Sequence, residues 1–165
     1  MGPGLRRDDE GGRGDDRGRD DGFVIVDFYH LTSTPLERVL PSICEKVLAQ
    51  GERMLVVAEP GLLARLDEQL WTYSKDSFLP HGREGGERQP ILLSETVETG
   101  EGAAANVALA DGEWREEALG FSRAFYLFDT GHIDSARGAW RALKGREDVE
   151  SRYWKQVEGK WVQGP

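Results

Sequence analysis

A nearly continuous apolar run, Arg53-Met-Leu-Val-Val-Ala58, bounded by Gly51 and Pro60, constrains the fold of this chain more than any other feature. A strand with one wet face alternates apolar and polar residues, so an unbroken run this short points to a strand covered on both faces. Such a strand takes parallel neighbours and helices above and below. The flanking segments supply them. Upstream, Phe23-Val-Ile-Val-Asp-Phe-Tyr29 has the β-branched and aromatic density of a strand. Leu36, Val39, Leu40, Ile43, Cys44, Val47 and Leu48 then recur on one face of a helix that Gly51 can end. Downstream, Leu62, Leu63, Leu66 and Leu70, with Trp71, mark a second amphipathic helix. The order strand, helix, strand, helix predicts a three-layer α/β/α domain with a mainly parallel, mixed sheet.

The remaining elements are shorter. Ile91-Leu-Leu93 and Val107-Ala-Leu109 read as strands around a Gly/Glu-rich loop at 98–104, and Ala124–Phe128 as another. Ile133–Lys144 reads as the last helix, and Arg152–Val157 is expected to close the sheet. At the start of the first helix, Thr34-Pro35-Leu36-Glu37 combines an N-cap hydroxyl, proline at the first helical position and a Glu three residues on. Pro41 lacks a donor and crowds the carbonyl of Glu37, which predicts a kink or a tightened first turn. Residues 1–22 hold seven glycines and twelve charged residues, with little apolar beyond Leu5, a composition that predicts disorder. Their Arg13-Gly14-Asp15 matches an adhesion triplet but carries no weight in such a tail; the alternative is that translation begins near Val24 or Val26. The expected boundaries are a tail at 1–22, one domain at 23–157 and a C-terminal tail at 158–165.

At 165 residues the chain has room for one sizeable core. Its net charge of −9 is unevenly spread: residues 23–132 carry 9 basic and 18 acidic side chains, whereas 133–165 carry 7 and 5. Gripping nucleic acid requires a basic face that replaces condensed counterions, so direct nucleic-acid binding is not expected. The single cysteine, Cys44, excludes an internal disulfide and argues against a cysteine-ligated metal. No run approaches the length of a membrane span, and the N-terminus is charged where a secretion signal would be apolar. A cytoplasmic location, away from membranes, is the expectation.

An α/β sheet invites a nucleotide, yet the turn after the first strand, Tyr29-His-Leu-Thr-Ser-Thr-Pro35, has no glycine to admit a pyrophosphate. The second strand ends at Ala58-Glu59-Pro60-Gly61, where Glu59 repels phosphate and Pro60 removes a donor. Neither a G-x-G-x-x-G loop nor a P-loop occurs, and no cofactor or metal is expected. His30, His81 and His132 lie outside any H-E-x-x-H or H-x-H spacing, and Glu95, Glu98, Glu101, Glu116 and Glu117 fit solvated loops and turns. No catalytic residue is assigned. A nucleotide-dependent α/β enzyme survives as the rival reading on fold class alone. A third reading, direct single-strand binding through Trp154, Lys155, Lys160 and Trp161, borrows the logic of aromatic stacking beside cations.

The last helix is where charge reverses. At about 100° per residue from Ile133, Ala136, Leu143 and Trp140 fall at about 300°, 280° and 340°, an apolar arc aimed at the core. Arg137, Lys144 and Arg141 fall at about 40°, 20° and 80°, beside it. Trp140 therefore sits at the seam between core and basic stripe. Indole beside guanidinium suits a ligand carrying both an aromatic ring and a carboxylate. The plainer alternative is a solvated basic face near a helix C-terminus, which the macrodipole also favours.

Several separated blocks resemble, in order and spacing, the chi subunit family of DNA polymerase III. They are Asp27-Phe-Tyr-His-Leu31, Leu66-Asp-Glu-Gln-Leu-Trp-Thr-Tyr73, Ser77-Phe-Leu-Pro-His-Gly82, Gln89-Pro-Ile-Leu-Leu93, Leu127-Phe-Asp129, Ala136-Arg-Gly-Ala-Trp-Arg141 and Tyr153-Trp-Lys-Gln156. The resemblance spans about residues 23–156. It implies a Rossmann-like fold without a nucleotide-binding loop, and a non-catalytic accessory protein of the clamp-loader assembly. It further implies binding of the acidic C-terminal tail of single-stranded-DNA-binding protein, a peptide ending in phenylalanine, at an arginine, an aromatic and a basic residue spaced i, i+3, i+4. Those positions fall on Arg137, Trp140 and Arg141, with Lys144 one turn further on. A psi subunit, or a repair helicase on an overlapping surface, is implied at Phe78, Pro80 and His81; the alternative is that Phe78 and Pro80 close the core over Trp71.

Overall fold

The structure, a computed structural model, describes residues 23–72, 79–83, 89–97 and 103–164. In chain order the elements are β1 (Val24–Leu31), α1 (Leu36–Ala49), β2 (Met54–Val57), α2 (Pro60–Thr72), β3 (His81–Gly82), β4 (Ile91–Ser94), β5 (Asn106–Leu109), β6 (Arg123–Asp129), α3 (Ile133–Lys144), β7 (Val149–Val157) and β8 (Lys160–Gln163). The strands form one sheet ordered β3-β4-β2-β5-β6-β1-β7-β8. Every pairing is parallel except β7 with β8. The apolar run of β2 is buried throughout and lies between two parallel partners, β4 and β5, as its lack of alternation predicted.

Alternation along the buried strands sends their side chains into two separate cores. On one face Met54, Val56, Ile91, Leu93, Phe125 and Leu127 meet α1 and α2 through Leu40, Ile43, Val47, Leu63, Leu66 and Leu70. On the other, Val24, Val26, Phe28, Leu55, Val57, Tyr126 and Phe128 meet α3 through Ala136, Ala139 and Leu143. Each fully buried leucine contributes about 1.5–3 kcal/mol relative to exposure. This is the expected three-layer α/β/α arrangement with a mixed, mostly parallel sheet.

Helix α1 runs unbroken through Pro41 and buries the face the periodicity marked, but its start is built differently. Pro35 precedes the first helical residue and no side chain caps that end. The Thr34 hydroxyl instead accepts from Gln156 Nε2 at 2.8 Å, while Gln156 Oε1 accepts from the amides of Ser33 and Thr34 at 3.2 and 3.1 Å. The hydroxyl expected to cap the helix is held instead by a residue brought over by β7, the neighbour of β1. A second correction concerns the C-terminus. Lys160–Gln163, expected as part of a tail, is a strand paired with β7 through a tight turn in which Glu158 and Gly159 both take positive φ, 52° and 79°. The expected disorder at 1–22, and most of the loop at 98–104, lie outside the described residues.

Candidate partner-binding site

The geometry that matters begins one strand away from α3. Asp27 of β1 is fully buried, and its carboxylate accepts from Arg152 Nε (2.7 Å), Arg123 Nε (2.8 Å) and Trp154 Nε1 (2.9 Å). Burial would raise its pKa, but the Arg123 charge, the Arg152 fork and the Trp154 N–H outweigh it and hold the carboxyl below the usual range. Arg123 belongs to β6 and Arg152 to β7, so one carboxylate ties β1 to both flanking strands. The same strand pairings set Phe28 beside Tyr153 and His30 beside Phe128.

Phe28, Phe128 and Tyr153 then face α3 and become the floor of a cavity of about 350 Å³, completed by Ile133, Ala136, Arg137, Trp140 and Arg141. Trp140 stands edge-on to Phe28, centroids 5.1 Å apart, and to Tyr153 at 6.5 Å. His30 stacks on Phe128 at 5.0 Å, and its Nδ1 lies 3.1 Å from the Tyr153 hydroxyl. The aromatic floor is thus braced from the side. Arg137 is exposed, with Asp134 at 4.0 Å; Arg141 is exposed as well. An aromatic-floored hollow of this volume admits a ring, and the two guanidiniums at its rim can hold a carboxylate in forked hydrogen bonds.

Arg137, Trp140 and Arg141, named from helical spacing, therefore share one cavity. Lys144 does not line it; its Nζ sits 5.3 Å over the Trp140 ring, on the indole rather than at the mouth. Phe28, Phe128 and Tyr153 were missed as site residues. Each lay in a quoted sequence block, but only strand pairing shows that they face the same helix.

At the second implied surface, His81 is an interior clamp. Its Nδ1 lies 2.8 Å from the Leu79 carbonyl and its Nε2 lies 2.7 Å from Asp67 Oδ1, with its side chain out of water. Trp71 packs on the His81 ring at 4.7 Å and is 57% exposed, so it does not enter the core as expected. Pro80 is half-buried, and Phe78 lies outside the described residues.

A larger hollow of about 600 Å³ opens at the carboxyl ends of β1, β2, β5 and β6. Several of its polar groups already have protein partners. Glu59 accepts from the amides of Gly61 and Leu62 at 2.9 and 2.7 Å, filling the α2 N-terminus where a phosphate would sit. Asp111 pairs with Arg115 at 2.8 Å and Asp129 with His132 at 2.8 Å. The residues offered for single-strand stacking also separate. Trp154 and Trp161 lie on the α1 face, bonded to Asp27 and edge-on to Tyr29, while alternation sends Lys155 and Lys160 to the other face. Among the described residues there is no cluster of three or more His, Cys, Asp or Glu side chains placed to hold a metal, and no helix long and apolar enough to cross a membrane.

A family model, DNA polymerase III chi subunit, HolC, matches residues 24–149. No curated protein matches the chain.

Proposed function

The chain belongs to the DNA polymerase III chi subunit family, a replication accessory subunit, and from that premise we propose that it is a non-catalytic adaptor. It binds the acidic C-terminal tail of single-stranded-DNA-binding protein and links it to the replication polymerase in the cytoplasm. The observation that carries this reading is the cavity formed by Phe28, Phe128, Tyr153, Trp140, Arg137 and Arg141. A terminal phenylalanine ring fits the floor and its α-carboxylate fits the rim. The acidic residues before it suit the C-terminal fifth of the chain, residues 133–165, where bases outnumber acids.

Titration with a fluorescent peptide copying such a tail tests this. Affinity falls with salt, because partly exposed ion pairs are screened, and falls further when the terminal phenylalanine is deleted. Arg137→Ala and Arg141→Ala each weaken binding about tenfold, the range of one charge-assisted pair. Unchanged affinity in both variants would refute the assignment.

A second surface is favoured by the exposed Trp71. With Pro80 beside the buried His81, it offers a rigid apolar anchor for a psi subunit, the clamp loader or a repair helicase. Trp71→Ala should abolish co-purification of such a partner while leaving tail-peptide affinity intact.

A further inference from the structure

Gln156 and Trp161 fasten the β7–β8 ribbon to the body on one face only, through the Ser33-Thr34 loop and the Tyr29 ring. The opposite face carries Lys155, Val157, Lys160 and Val162, with Lys155 directly across from Val162 and Val157 across from Lys160. The ladder between β1 and β7 ends at Trp154, so these residues extend beyond the sheet's body. Val157 and Val162 are 43% and 41% exposed, and both lysines are exposed. Two apolar side chains left in water on a ribbon stabilised from its other face are not explained by folding alone.

The ribbon is continuous with the cavity. Tyr153, part of the cavity floor, lies two residues before Lys155 on the same face of the same strand, a step of about 7 Å. We propose that this face is a second subsite that takes the acidic residues preceding the terminal aromatic of the bound peptide, so that the peptide leaves the cavity along β7–β8. This rests on the tail-binding reading and adds the path of the chain. Charge selects the occupant: Lys155 and Lys160 alternate with the valines, and Arg137 and Arg141 line the cavity from which this face continues. The nearby acids are Asp134, beside Arg137, and Glu158 in the turn. From Tyr153 to Val157 the strand spans about 13 Å, the length of about four extended peptide residues.

Two peptides separate the cavity from the ribbon: a minimal one of about three residues ending in phenylalanine, and an acidic one of about nine, long enough to cross the ribbon at about 3.3 Å per residue. Isothermal titration should show Lys155→Glu/Lys160→Glu weakening the longer peptide about tenfold and leaving the minimal one unchanged. Arg38→Glu/Lys46→Glu, on the exposed side of α1, matches that change in net charge and should alter neither. Val157→Ser/Val162→Ser should weaken only the longer peptide. If the lysine variant leaves the longer peptide unaffected, or weakens both peptides equally, the subsite is refuted while the cavity stands. If wild-type protein binds neither peptide, the tail-binding reading fails and the ribbon inference falls with it.

Discussion

Asp27 shows how a single residue positions a surface it does not touch. Its carboxylate is out of water, while Arg123 and Arg152 remain partly exposed, at 31% and 24% of their side chains. Asp27→Asn leaves two guanidiniums without their counter-charge and should cost about 3 kcal/mol in chemical denaturation, the lower end for a broken buried pair because the arginines reach water. Its folded pKa lies below the ordinary 3.8, so its contribution to stability is present above pH 3.8 and lost as pH falls through the depressed value. Two histidines move in opposite directions. Burial, with help from Arg137 and against Asp129, lowers the pKa of His30 below 6.5; the hydrogen bond to Asp129 raises that of His132 above it. His30 therefore contributes stability above pH 6.5 that is lost as pH falls through its folded value, and His132 contributes below pH 6.5 and loses that as pH rises through its own. A proton–carbon NMR titration should find His30 titrating at the lower pH, and the reverse order would contradict the geometry.

At the scale of elements, α3 was the most legible part of the chain. Its bounds, Ile133 to Lys144, match the sequence reading, because a strong 3.6-residue period sits between a loop and a glycine. The β7–β8 hairpin was the least legible. Its turn has Glu158 where Asn or Asp would announce a two-residue loop with positive φ, and the returning strand is only four residues long. Gly159 takes φ 79° with nothing within 4 Å of where a Cβ would sit, so strain alone opposes substitution. Gly159→Ala should cost about 1 kcal/mol by thermal or chemical denaturation. A fraying ribbon should also weaken the longer acidic peptide and spare the minimal one.

At the scale of the molecule, the carboxyl ends of the strands do not offer the phosphate cradle that an α/β sheet suggests. The first amides of α2 are taken by Glu59, and those of the Ser33-Thr34 loop before α1 by Gln156. A thermal-shift screen with nucleoside triphosphates and magnesium should leave the melting temperature where it was; a rise would favour the enzyme reading instead. The chain's own order of apolar periods determined the layers, the parallel neighbours of β2 and the basic seam of α3, because periodicity is a local property that each segment carries by itself. Register and cross-sheet neighbours decided everything else. The Thr34 hydroxyl, expected to cap α1, instead accepts from Gln156, 122 residues away. Trp154 and Lys155, adjacent in sequence, went to opposite faces. Arg137, Trp140 and Arg141 acquired an aromatic floor only through the pairing of β1 with both β6 and β7, since a cavity is made by surfaces that meet in space and no single segment contains both.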